Sequence, residues 1–354
     1  MTIKRVCMVG AGRVGQLHAT SILRHLGARA RVTAVVDPHA DVASALATEL
    51  GVARTYPTLA AALAADQFDG VVITTPTFTH RELAVLALEA GLHVHLEKPM
   101  AMNLVECAEI NQLLERTGLQ LQLGFMRRFD RDFTAAAGLL ASGKIGEPMI
   151  IKSLTHGPGL PPAWANDIRT SNGLIAEVTS HDLDTVGWFA NSRPLEITVK
   201  VANFKGAGRG VTTPNFYDTM LATVAFESGA LASIAGVCPA DYGYDARVEV
   251  TATGGMLQVG GTGPGGLAVV AAGSGISSQA VYPSWRSRFA EAYIAEMAGF
   301  VDAMEGIPAR VGASEGTQAV ALTVAGVTSL LENRSVNLDE VTTSPVVPHW
   351  QAPA

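Results

Sequence analysis

The chain has 354 residues, more than the ~250–300 that one hydrophobic core usually serves, so two domains are expected. Hydrophobic residues make up 48% and charged residues 16%, a balance that excludes a disordered chain. The net charge of −7 supplies no basic field for nucleic acid, no apolar run approaches the ~20 residues of a membrane span, and the first residues enter a strand pattern without signal-peptide architecture.

The first strand candidate, Val6–Gly10, ends in Gly10-Ala11-Gly12-Arg13-Val14-Gly15 and opens a helical pattern over Val14–Leu26. This is a turn built to hold a dinucleotide pyrophosphate. Gly10 permits the tight turn, Gly12 lets the backbone approach phosphate, and Gly15 lets helix pack on strand. Free N–H groups at the helix start, around Arg13 and Val14, then meet the anion. A second strand candidate, Val32–Asp37, places a carboxylate 22 residues after Gly15, where it accepts hydrogen bonds from the adenosine ribose. Asp37 would repel a 2′-phosphate, and Pro38-His39 offers no arginine clamp, so NAD is expected over NADP.

Strand candidates Gly70–Thr74, His93–Leu96 and Leu119–Gly124 follow, with helical patterns over His80–Ala90 and Leu104–Thr117. Alternation of this kind predicts a doubly wound parallel sheet. Ligands of such sheets bind at the carboxyl ends of strands. Two turns stand there. Thr74-Thr75-Pro76-Thr77-Phe78-Thr79-His80 sets hydroxyls and a helix start toward the nicotinamide-ribose side, with Thr77 or Thr79 as helix cap. Glu97-Lys98-Pro99 sets Lys98 over the crevice, before an X-Pro bond open to either isomer.

After Gly124 the texture changes. A helix near Asp130–Gly143 leads to a strand, Pro148–Thr155, and a Pro/Gly loop. A helix is then predicted from Gly173 to Asn191. Alternating runs follow at Leu195–Phe204, Met220–Phe226, Leu231–Val237, Arg247–Thr253 and Met256–Val259, which predict a mostly antiparallel sheet with one covered face. Helices near Arg288–Met304 and Ser314–Leu331 complete the pattern. The glycine clusters Gly206–Gly210 and Gly260–Gly266 lack the strand–helix frame and read as loops. On the predicted 173–191 helix, Glu177, His181, Asp184 and Trp188 recur at i, i+4, i+7 and i+11 and so share one face. A carboxylate one turn from a histidine holds its ring and raises its basicity; taken alone, the spacing favours the plainer reading of a satisfied histidine with a partner on a half-buried face. No third ligand stands at metal spacing beside this pair, so no metal is expected. Cys7, Cys107 and Cys238 are scattered, at neither disulfide nor zinc spacing, and point to a reducing cytoplasm.

Together these stretches resemble the glucose–fructose oxidoreductase / inositol dehydrogenase / MocA family. The resemblance rests on Val9–Ala19 with His18, Thr75-Pro76-Thr77-x-x-His80, and Ala90-Gly91-x-His93-Val94-x-x-Glu97-Lys98-Pro99. It continues through Gly124–Asp130, His181-Asp182-Leu183-Asp184 and Tyr242-Gly243-Tyr244-Asp245, and leans toward inositol dehydrogenase-like members. It implies a Rossmann domain over 1–124 and a substrate-binding α/β domain over 125–354. The open sheet of the second pairs subunits into dimers or tetramers, and the late helices pack back on the first. It implies cofactor contacts from Gly10, Gly12, Arg13, Val14, Asp37, Thr75, Thr77, His80, Glu97 and Lys98. Lys98, His181 and Glu177 are implied in catalysis, and Arg127, His156, Arg169 and Tyr242 beside them against substrate. The family usually has Asp where Glu177 stands, and the extra methylene moves the carboxylate by roughly 1 Å. The usual Gly-Gly ahead of it is Asn172-Gly173 here. The implied activity is hydride transfer between nicotinamide and a secondary hydroxyl of a cyclic polyol or sugar, such as an inositol, aldose or glycoside. Two alternatives use the same fold: redox-neutral, NAD-assisted glycoside elimination, and a non-catalytic NAD- or sugar-responsive regulator.

Overall fold

Six parallel strands make the first sheet of the computed structural model, which describes residues 2–213, 215–260 and 282–342. They are β1 Lys4–Val9, β2 Ala30–Val36, β3 Thr55–Tyr56, β4 Gly70–Ile73, β5 His93–Leu96 and β6 Leu121–Leu123, in the order β3-β2-β1-β4-β5-β6. That order reverses direction between β1 and β4, so the carboxyl ends of these two strands frame the crevice of a doubly wound sheet. Every residue of β4, and Val6–Val9 of β1, is buried, because helices cover both faces. The helices are α1 Arg13–His25, α2 Ala40–Leu50, α3 Leu59–Ala65, α4 His80–Glu89 and α5 Leu104–Thr117. The boundaries of α5 follow from chemistry: the Asn103 side chain accepts the Glu106 N–H at 3.0 Å, and Gly118 ends the helix at φ +68°.

The second sheet has seven strands: β7 Pro148–His156, β8 Pro194–Ala202, β9 Thr219–Phe226, β10 Leu231–Val237, β11 Asp245–Ala252, β12 Gly255–Val259 and β13 Val336–Asn337. Their order is β12-β11-β7-β10-β9-β8-β13, and only β7 and β10 pair in parallel. Burial alternates strictly along β9 and β11, the mark of a sheet covered on one face. The covering elements include α6 Arg131–Ala141, α9 Gly173–Glu177 and α10 Ser180–Ala190, and the short helices α7 Ala163–Asn166 and α8 Ile168–Ser171 pack against α9. A short α11, Trp285–Arg288, precedes α12 Ala290–Met304, α13 Ala313–Glu332 and α14 Leu338–Thr342.

Two compact units result. One gathers residues up to Phe129 with Glu291–Thr317; the other gathers Asp130–Ala290 with described residues from Gln318 onward. The late helix α12 joins the first core: Met297, Phe300, Val301 and Met304 pack with Val6, Met8, Val35 and Val72. Gly70 makes room for it, since a Cβ there would lie 2.7 Å from Met304 Sδ and 2.9 Å from Phe300 Cζ. Ala207–Arg209 form a single 3₁₀ turn in the Gly206–Gly210 loop; residues 261–266 of the other glycine cluster lie outside the described residues.

Candidate active site

The glycine turn after β1 takes the form its sequence demands. Gly10 sits at φ +96°, and a Cβ on Gly15 would lie 2.0 Å from the Gly10 carbonyl oxygen. Gly12 is the N-cap of α1, carries no side-chain cap bond and faces open space. The N–H groups at the start of α1 are therefore presented without an internal acceptor, as an anion site requires. Arg13 is exposed and Val14 half-buried in that first turn. Asp37 stands just past β2, where its Oδ2 accepts the Ala11 N–H at 2.9 Å and its Oδ1 accepts the His39 N–H at 2.9 Å. The acid thus braces the glycine turn. Thr74, at the end of β4, adds a brace the motif does not announce: its hydroxyl donates to the Gly10 carbonyl at 2.9 Å.

The two turns after β4 and β5 are tied together by His80. It is buried, with Nδ1 2.8 Å from the Pro99 carbonyl and Nε2 2.9 Å from the Thr75 carbonyl. Burial pushes its pKa below the usual histidine value. Thr75 and Thr79 share a hydroxyl hydrogen bond at 2.7 Å, and Thr77 is buried. Thr79 is the N-cap of α4, yet its hydroxyl turns back to the Pro76 carbonyl at 2.8 Å and caps nothing. Lys98 follows β5, half-buried, and its bond to Pro99 is cis. The Glu97 side chain turns inward: its Oε1 accepts from His18 Nε2 at 2.8 Å, and its Oε2 from the Lys98 N–H at 3.2 Å.

In the second unit the expected single helix over 173–191 is two helices. α9 ends at Glu177, and α10 starts at Ser180. The Thr179 hydroxyl bonds the Ile175 carbonyl at 2.9 Å, and the Leu174 carbonyl takes both the Val178 and Thr179 N–H groups, which closes the first helix. Glu177 and His181 therefore sit on consecutive helices, and the i, i+4 geometry of one continuous face does not apply. His181 lies in the first turn of α10 with 9% exposure. Its neighbour Asp182 is fully buried and receives the hydroxyls of Ser153 at 2.5 Å and Thr155 at 2.6 Å, which ties α10 to β7. Glu177 opens into a cavity of about 330 Å³, mouth included, with Asn166, Asn215, Tyr217 and Cys238 in its wall.

His156 ends β7 with Nδ1 2.5 Å from the Tyr242 hydroxyl, and Tyr242 reaches Asp245 at 3.3 Å. Burial holds the His156 pKa below its ordinary value; burial, then Asp245, raises that of Tyr242. Asp245 is in turn gripped by Arg247 at 2.8 Å. Arg169 turns outward onto Asp167 at 2.6 Å, with its side chain 66% exposed, whereas Arg127 is 1% exposed. The sequence reading passed over one group: His18, His95, Glu97 and Glu296 each bring a ligand-type atom within 4.8 Å of the others. Strand alternation marks His95 as inward-facing, but nothing in the spacing joins residues 18 and 296.

Residues 4–125 match an oxidoreductase family described as having an NAD-binding Rossmann fold, and residues 133–258 match the GFO/IDH/MocA C-terminal domain. The chain is 30% identical to an inositol 2-dehydrogenase of Rhizobium meliloti over 96% of this chain and all of that one. It is also 30% identical to the scyllo-inositol 2-dehydrogenase (NAD(+)) of Bacillus subtilis, over 84% of this chain and 85% of that one. The crystal structure of scyllo-inositol dehydrogenase from Lactobacillus casei with bound NAD(H) and scyllo-inositol aligns at TM-score 0.84 and 25% identity, over 95% and 99% of the two chains.

Proposed function

The chain belongs to the GFO/IDH/MocA oxidoreductase family, and from that premise we propose that it oxidises a secondary hydroxyl of a cyclic polyol, of the inositol class, with NAD. The observation that carries the reading is Lys98 at the carboxyl end of β5, in a sheet whose switch point already holds the dinucleotide turn. The residues present fit the cofactor: only glycine fits at position 15, Gly12 leaves the α1 N–H groups open to pyrophosphate, and Asp37 offers a carboxylate to the ribose. Bound NAD supplies the hydride acceptor.

The chain's own residues handle the proton and the charge. Lys98 hydrogen-bonds the reacting oxygen and stabilises the negative charge that develops there. His181 takes the hydroxyl proton as general base, and Glu177, at the end of the preceding helix, is the carboxylate assigned to its site by the family pattern. His156 and Tyr242, already joined by a hydrogen bond, read ring hydroxyls. Arg13, Val14, Thr75, Thr77 and Glu97 frame the cofactor, and His80 acts on it through the two carbonyls it ties. Among the described residues no helix is long and apolar enough to cross a membrane. All three cysteines are buried free thiols, with burial pushing Cys7 and Cys107 up to about 12, which supports a place in the reducing cytoplasm. The open face of the second sheet supports assembly into a homodimer or homotetramer.

The test is NADH absorbance with a panel of inositols, aldoses and glycosides, run with NAD⁺ and with NADP⁺. A rate with an inositol, and a higher kcat/KM with NAD⁺, is expected. A silent panel from protein purified with tightly bound nucleotide would move the assignment to redox-neutral glycoside chemistry. Lys98→Ala should lower kcat by at least ~10²-fold while NAD still binds.

A further inference from the structure

Behind the Lys98 turn lies a buried group of titratable side chains to which the reaction above gives no part in moving the proton or the charge. His18 comes from α1, His95 from β5, Glu97 from the end of β5, and Glu296 from α12; their exposures are 0%, 0%, 9% and 0%. Gly124 makes the space, since a Cβ there would lie 2.8 Å from Glu97 Cδ. Both Glu97 oxygens are engaged, one by His18 and one by the Lys98 N–H. Among the described residues, neither oxygen of Glu296 has a hydrogen-bond partner, and His95 Nε2 has none. Two carboxyls so close in a dry interior do not both ionise, and Glu296, with no donor to either oxygen, is the one that keeps its proton. The burial of Glu296, then the nearby Glu97 charge, drives its pKa well above the carboxylic range, and burial, then His18, holds that of His95 well below the usual value.

We propose that Glu97 is the positioning residue for Lys98: clamped by His18 and set beside a protonated Glu296, its carboxylate fixes the Lys98 main chain. This rests on the reading of Lys98 as the group that meets the reacting oxygen. Two histidines and two carboxylates are also a zinc ligand set. The hydrogen-bonded arrangement is favoured because both oxygens of Glu97 and Nε2 of His18 are already spent on each other and on the Lys98 N–H.

The experiment compares Glu97→Gln, His18→Ala, His18→Gln and Glu296→Gln with the parent enzyme, using NAD⁺ and the best substrate of the polyol panel from pH 6 to 10. Metal content of the purified protein is measured alongside, and Lys98→Ala is the control. Glu97→Gln should lower kcat by about tenfold or more, less than the ~10²-fold of a 1 Å misplacement, with little change in KM for NAD. His18→Ala should do the same, and His18→Gln, which restores an N–H donor, should recover part of the loss. Glu296→Gln reproduces the neutral form and should keep kcat. A Glu97→Gln enzyme that is merely less heat-stable, with its kcat unchanged, overturns the proposal. So does zinc bound in proportion to the chain and lost in that variant, or a Glu296→Gln kcat that falls as far as that of Glu97→Gln. An active Lys98→Ala enzyme would instead sink the reading of Lys98 itself.

Discussion

At the scale of single residues, the sharpest constraints are places where an atom has no room or no partner. Gly15 is the first kind. A methyl group there would have to displace the Gly10 carbonyl, the atom that shapes the phosphate turn. Gly15→Ala is therefore expected to weaken NAD binding by at least ~1.4 kcal/mol, tenfold in Kd, by calorimetric titration. A Kd within twofold of the parent would show that the turn relaxes freely. Glu296 is the second kind. Its folded-state pKa is raised, so the folded protein holds the proton more tightly than the unfolded chain does. That favours the fold below the unfolded value near ~4.3 and is lost as pH rises from there toward the folded value. Glu296→Gln removes the loss. Its stability relative to the parent should be unchanged near pH 4 and should climb above it, by up to ~1.4 kcal/mol per pH unit. Parallel melting-temperature curves from pH 4 to 8 would show that Glu296 is not protonated.

At the scale of elements, the sequence was most legible where one force decides. His93–Leu96 and Leu231–Val237 were read to the residue, because an apolar run or strict alternation has one stable use. The two-residue strands Thr55–Tyr56 and Val336–Asn337 are too short to carry a period and went unread. The 173–191 segment failed for another reason: its helical periodicity runs unbroken through Val178-Thr179. The break comes from the Thr179 hydroxyl and from packing against Gly236, where a Cβ would stand 2.5 Å from Thr179 Cγ2, and neither shows in the spacing of apolar residues. The cofactor turn was legible because each glycine answers a local backbone demand. The His18–Glu97–Glu296 group was not, since three elements far apart in the chain meet only in the folded core. α10 illustrates how such contacts hold an element. Asp182 receives two hydroxyls from β7, and Asp182→Ala would leave both without their acceptor. We expect a loss of at least ~2 kcal/mol in urea denaturation. A loss under ~0.5 kcal/mol, as for an ordinary surface change, would show that other contacts seat α10.

At the scale of the whole molecule, the second sheet has a face that water alone does not suit. Ile150, Leu221, Leu231 and Met256 are 44%, 61%, 56% and 57% exposed. Pairing register places them on one side: Leu231 stands opposite Ile150, Leu221 opposite Ala235, and Met256 opposite Thr251, which itself faces Ile150. The alternate residues, among them Ile151, Ala232, Ile234 and Val250, are buried on the other side. Lys152 and Glu249 form a cross-strand ion pair on the open face, 2.8 Å apart, beside the apolar residues. Four large apolar side chains on one flat face are a patch that monomers rarely expose, and a flat sheet suits a second copy of itself across a two-fold axis. Sedimentation velocity at micromolar concentration should therefore find a dimer or tetramer. Leu221→Glu combined with Leu231→Glu sets like charges against each other across that axis and should shift the protein toward monomer, with its far-ultraviolet circular dichroism unchanged. The NAD turn belongs to the other unit, so NAD binding should survive in the monomeric variant. A parent chain that sediments as a monomer, or a double variant that still assembles, would exclude this face as the interface.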